Sequence, residues 1–160
     1  MQFNKVLVVV TGQPSDKTAV SHAAALVRES RGRLIILYVI QVDRSEHLDA
    51  ELPGEVQKAE AILADAELVA NLQRNVIEGE MLQARDIGPA VVHEAAVRDI
   101  DAVVISTKYP RTYNRYSLGT DIPYILEYAA CNVILIREEI PGAKPARRQL
   151  LGRAGSKPGH

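Results

Sequence analysis

The sequence predicts an α/β fold, a parallel sheet covered by helices on both faces. Three observations predict it. Five short runs rich in apolar, β-branched residues stand at Lys5–Val10, Arg33–Ile40, Val76–Leu82, Ala102–Ile105 and Val133–Ile136. Such runs, bounded by polar ends, read as strands buried on both faces. The segments between them carry apolar residues at helical spacing, and strands alternating with helices argue for a parallel sheet. Finally, the stretch from Asp101 to Arg137 joins two of the runs through a polar loop and a short helical pattern, which makes a βαβ unit. The loop after the first strand of such a unit is where α/β proteins usually hold a ligand.

The 160 residues suggest one domain, with 47% hydrophobic and 24% charged residues, values of an ordinary globular protein. No apolar run approaches the roughly 20 residues of a membrane span. The first strand begins within five residues of the start, and no signal peptide is expected. The one cysteine, Cys131, excludes an internal disulfide and is read as a small packed residue in a protein of the reducing cytoplasm. The net charge of −1 hides an asymmetry: residues 137–160 carry +4 and the rest −5. The domain is therefore taken as 1–140. Residues 141–160 are a basic, Pro- and Gly-rich tail, expected to be disordered. A basic tail can touch an anionic surface, but it is read here as a solvated terminus.

After the first strand, Thr11–Ser15 is a turn in which Ser15 is placed to cap a helix over Asp16–Ser30. Gly32 supplies its stop signal. His22 has no second ligand at i+4 and reads as a packed or surface histidine. Following the second strand, Gln41–Gly54 is polar and expected to be a mobile loop. A long amphipathic helix covers Glu55–Gln73. The third strand contains Gly79 between Glu78 and Glu80, which reads as a solvated edge rather than an acid/base pair. Asp86–Pro89 opens the next helix, and a short one runs Asp121–Ala130. If the first strand lies beside the fourth, Thr11–Ser15 and Ser106–Thr120 line one crevice.

The ordered set of features resembles the universal stress protein family: a first strand with a Gly-containing turn, Leu37-Tyr38-Val39, Asp101–Ile105, Leu118-Gly119-Thr120, and the Ala129–Arg137 ending. The resemblance covers about Lys5 to Arg137. It implies a Rossmann-like five-stranded parallel sheet in the order 3-2-1-4-5 and a homodimer through the last strand, Val133–Ile136. It implies a stress-type regulatory or binding protein acting through a protein partner. It also implies a crevice for ATP or AMP, with Mg where the ligand is ATP. Nucleotide-binding members carry Gly-x2-Gly-x9-Gly-(Ser/Thr), which aligns here on Ser106, Tyr109, Gly119 and Thr120. Both early glycines are replaced, and the family's acidic residue after the first strand is Thr11.

Glycines in such a loop let backbone N–H groups approach phosphates, and strained backbone costs about 1–3 kcal/mol. Against that loss, Lys108, Arg111 and Arg115 bring positive charge, and Gly119-Thr120 opens a helix whose dipole favours an anion. The candidate nucleotide or anion site is therefore Thr11, Gly12, Ser15, Val39, Ser106, Lys108, Tyr109, Arg111, Arg115, Gly119 and Thr120. A degenerate crevice on a partner-binding module is the first reading, and an ATP sensor or slow ATPase is the alternative. Five of the six tyrosines fall in Tyr109–Tyr128; Tyr124 and Tyr128 read as helix packing, the others as a pocket filler or an interaction surface. The sequence has no phosphate-loop or dinucleotide motif, no nucleophile elbow and no metal-ligand spacing, so neither turnover, nor a metal, nor specific nucleic-acid binding is expected.

Overall fold

The computed structural model describes residues 2–72, 75–108, 111–112 and 115–139. Strand β1 (Lys5–Val10) leads through helix α1 (Asp16–Arg28) to β2 (Arg33–Gln41), and α2 (Pro53–Asn71) leads to β3 (Val76–Ala84). Helix α3 (Ile87–Val97) precedes β4 (Ala102–Thr107). Two short strands, β5 (Arg111–Thr112) and β6 (Arg115–Tyr116), interrupt the path to α4 (Asp121–Tyr128) and β7 (Asn132–Arg137). The main sheet is parallel, in the order β3-β2-β1-β4-β7. Counted along the sheet's own strands this is 3-2-1-4-5, as expected. The β5–β6 pair is a separate antiparallel ribbon inside what the sequence reading treated as loop. The expected domain boundary at 140 and the tail 141–160 lie outside the described residues.

Side chains in a strand alternate between faces, which divides the core into two layers. Val6, Val8 and Val10 pack with Ala19, Val20, Ala23 and Ala24 of α1 and with Ala59, Leu63, Ala66 and Ala70 of α2. Leu7 and Val9 pack on the other side with Val91 and Ala95 of α3 and Ile125 of α4. The alanines keep these helices close to the sheet. Strands β1 and β2 are buried almost throughout, while β3 and β7, at the edges, are only half-buried. Among the described residues no helix is long and apolar enough to cross a membrane.

Asp101 ties the lower end of the sheet together. Its Oδ2 accepts the backbone N–H groups of Asn4 and Lys5, each at 2.8 Å, and its carbonyl accepts from Asn132 N at 3.2 Å. The starts of β1, β4 and β7 thus meet at one carboxylate and its backbone.

Several local expectations need correction. Ser15 makes no side-chain cap; it has helical φ and ψ and is buried, and the turn is closed instead by Asp16. The left-handed residue ending α1 is Arg31 (φ 53°), not Gly32. Gly32 is needed for space: a Cβ there would stand 2.1 Å from the Asn4 carbonyl oxygen. Segment 41–54 is anchored rather than loose. Gln83 Nε2 donates to the carbonyls of Leu48 (3.1 Å) and Ala50 (3.0 Å), and the Arg85 guanidinium donates to those of Val42 and Asp43. Helix α2 begins two residues earlier than expected, at Pro53. Glu78 and Glu80 do share a side, but both reach Arg98, which also binds Glu94.

Candidate functional site

The topological switch lies between β1 and β4, where the chain reverses its winding. Their pairing runs from Val6–Ala102 to Val8–Val104. Pairing between β1 and β2 continues to Val10–Tyr38, and that between β4 and β7 to Thr107–Arg137. The central pair therefore parts while its outer neighbours stay joined, and a crevice opens above Val8 and Val104.

One wall of the crevice is the turn after β1. The Asp16 carboxylate organises it. Its Oδ1 accepts from Thr11 N (2.9 Å) and Thr11 Oγ1 (3.3 Å), and its Oδ2 accepts from Gly12 N (2.7 Å). Burial pushes the Asp16 carboxyl above its ordinary pKa, while the hydrogen bonds from Thr11 and Gly12 pull the other way. Gly12 has φ 83°, and a Cβ there would lie 2.9 Å from Ile62 Cδ1 of α2. The left-handed conformation favours glycine at this turn, and a Cβ would also make the tip of the Ile62 side chain shift.

Thr11 and Val39, predicted from sequence, do come together. With Val10, Tyr38, Gln41, Glu55 and Ile87 they line a small cavity of about 180 Å³ at the upper ends of β1 and β2. Gly12 does not line it; it borders a larger groove of about 520 Å³ between α1 and α2. Ser15 faces neither.

On the β4 side the chain passes from Thr107, the end of β4, to Asp121, the start of α4. Ser106 is half-buried near the end of β4, and Lys108 just beyond is exposed. Gly119 has φ 74°, and among the described residues no atom outside its immediate chain neighbours lies within 4 Å of where its Cβ would stand. Its N–H donates to Ser117 Oγ at 3.1 Å. Thr120 follows at the N-cap of α4, exposed and with no side-chain cap. Asp121 Oδ1, in the first turn of α4, accepts Gly88 N of α3 at 2.9 Å, so the starts of the two helices are joined. Arg111 and Arg115 lie in the β5–β6 ribbon, in register with Tyr116 and Thr112. Tyr109 and Tyr113 lie outside the described residues.

Sequence reasoning missed two residues here. Asp16 was read only as part of a helix, and Glu55 only as the start of one. The remaining candidates are structural. His22 Nδ1 bonds the Thr18 carbonyl at 2.8 Å, and burial pushes the half-buried Cys131 thiol above its ordinary pKa. Tyr124 and Tyr128 stack on one another along α4 with ring centres 4.5 Å apart.

The family model of the universal stress proteins matches residues 2–137. The chain belongs to the universal stress protein family. Solved members share its fold at low identity. A universal stress protein in complex with cAMP is 20% identical over 86% of this chain and 98% of its own, with TM-score 0.69. One from Archaeoglobus fulgidus in complex with dAMP is 16% identical over 86% and 100%, with TM-score 0.69. An Arabidopsis thaliana member with AMP bound is 15% identical over 87% and 94%, with TM-score 0.63. No curated protein matches the chain. As a universal stress protein it has a single α/β domain with the sheet order 3-2-1-4-5.

Proposed function

We propose that this universal stress protein binds an adenine mononucleotide in the β1–β4 crevice and works as a regulatory module through protein partners. The observation that carries the reading is the crevice itself. Supporting it are a cavity lined by Thr11 and Val39 at the upper ends of β1 and β2, and the left-handed Gly119 just before α4, the element that follows β4. An uncharged base or sugar suits the first. The second, at the start of α4, suits a phosphate. That solved relatives hold cAMP, dAMP and AMP supports a one-phosphate ligand. Mg-ATP in the same crevice, serving a sensor or a slow ATPase, is the second reading, favoured by the absence, among the described residues, of any atom crowding Gly119.

The protein is further proposed to act as a homodimer through β7 and to reside in the cytoplasm. Its single free thiol supports that compartment.

Thermal unfolding with AMP and with Mg-ATP tests the reading. At ten times Kd a ligand stabilises by about 1.4 kcal/mol, a rise of about 4 °C for a domain of this size. A clear rise with AMP that exceeds the rise with Mg-ATP is expected. A melting temperature unmoved by millimolar amounts of both would refute it.

A further inference from the structure

The cavity at the upper ends of β1 and β2 has one charged wall, and that charge comes from α2. Glu55 stands in the first turn of α2 and lines the cavity opposite the β1 turn. Two of its polar companions are already engaged: Thr11 Oγ1 bonds Asp16, and Gln41 Nε2 donates to the Arg85 carbonyl at 3.1 Å. Among the described residues the Glu55 carboxylate has no hydrogen bond or ion pair. Elsewhere the cavity is lined by apolar Val10, Val39 and Ile87 and by the largely buried Tyr38. Its volume of about 180 Å³ is below the roughly 300 Å³ at which pockets for whole ligands begin, so it takes one end of a molecule.

The geometry points to Glu55 as a specificity-determining residue that accepts hydrogen bonds from the uncharged, donor-bearing end of the nucleotide. This inference rests on the nucleotide reading given above. A carboxylate offers only acceptors, so it selects donors: a sugar hydroxyl pair or an exocyclic amino group. It also repels phosphate. Ligand polarity is thereby set, with sugar or base beside Glu55 and phosphate toward Gly119. The acid comes from α2 rather than from the end of β1, where Thr11 supplies only a hydroxyl.

Titration calorimetry of the wild type, Glu55→Gln and Glu55→Ala with AMP, 2′-deoxy-AMP and IMP tests this. Both variants should melt as the wild type does, because the side chain is exposed. Glu55→Ala should weaken AMP about tenfold or more, with a smaller loss for Glu55→Gln, which keeps one acceptor. If the sugar is the donor, 2′-deoxy-AMP binds the wild type as weakly as AMP binds Glu55→Ala. If the amino group is the donor, IMP does so. Wild-type binding of AMP with both variants within twofold of it overturns the role of Glu55 and leaves the functional reading standing. No binding of any of the three nucleotides by the wild type overturns the functional reading, and this inference with it.

Discussion

Both carboxylate oxygens of Asp16 accept from the turn that precedes α1, reaching back four and five residues to Gly12 and Thr11. Asp16→Ala would leave two backbone N–H groups at a crowded turn without their acceptor. Such a loss costs about 1–3 kcal/mol, measurable by urea unfolding. The pH dependence has a definite sign. Burial raises the folded pKa of Asp16, so the native state keeps this proton to higher pH than the unfolded chain does. The stability contribution of Asp16 is therefore full below the ordinary carboxylate pKa and is lost as pH rises through the folded value. Asp16→Asn should remove that part of the slope in unfolding free energy on the acid side. An unchanged slope would show that Asp16 titrates as it does in water. Capping rules favour Ser15 because they look forward into the helix. Asp16 instead looks backward, toward the end of a strand, where no local template places an acceptor. A similar confusion of causes touches Gly32, whose glycine serves the nearby Asn4 backbone and not the helix end.

At the scale of the element, the strands were the legible part. Runs such as Leu7-Val8-Val9-Val10 and Ile35-Ile36-Leu37 are apolar on both faces, and only a sheet covered on both sides buries them. Less legible was whatever depended on register between distant segments. Pairing of β2 with β3 runs to Gln41–Ala84, which brings Gln83 and Arg85 under segment 41–54 and holds it. The same holds for Glu55, which becomes a cavity wall only because α2 starts over the end of β2. The Arg98 cluster is another such case. Arg98 follows α3 and reaches Glu94 Oε2 at 3.0 Å, Glu80 Oε2 at 2.9 Å and Glu78 Oε1 at 3.2 Å. One cation thus clamps α3 to the edge strand and offsets three carboxylates. Arg98→Gln should destabilise the fold by about 1–2 kcal/mol, more than a lone surface pair is worth, because three like charges then face one another. In 1 M salt the difference from wild type should shrink in chemical unfolding. A difference that salt leaves untouched would assign the loss to packing of the arginine stem.

On the scale of the whole molecule, the sheet has two edges, and they differ. The β3 edge carries exposed Glu78 and Gly79 and half-buried Glu80, the kind of charged strand that resists pairing with another chain. The β7 edge carries Val133, Ile134, Leu135 and Ile136 without a charge between Asn132 and Arg137, and all four are only half-buried. Their neighbours in β4, Val103 and Val104, are fully buried. An apolar edge strand with unpaired backbone groups is a template for a second copy. Light scattering at micromolar concentration should give twice the chain mass of 17.5 kDa. Ile136→Lys places a charge within that apolar edge. The variant should scatter as a single chain of 17.5 kDa while its far-UV circular dichroism stays that of the wild type. A wild-type chain that remains at the single-chain mass as concentration rises would remove β7 as the partner surface. An Ile136→Lys variant that still doubles would move that surface elsewhere, to the α1–α2 groove or the exposed face of α4.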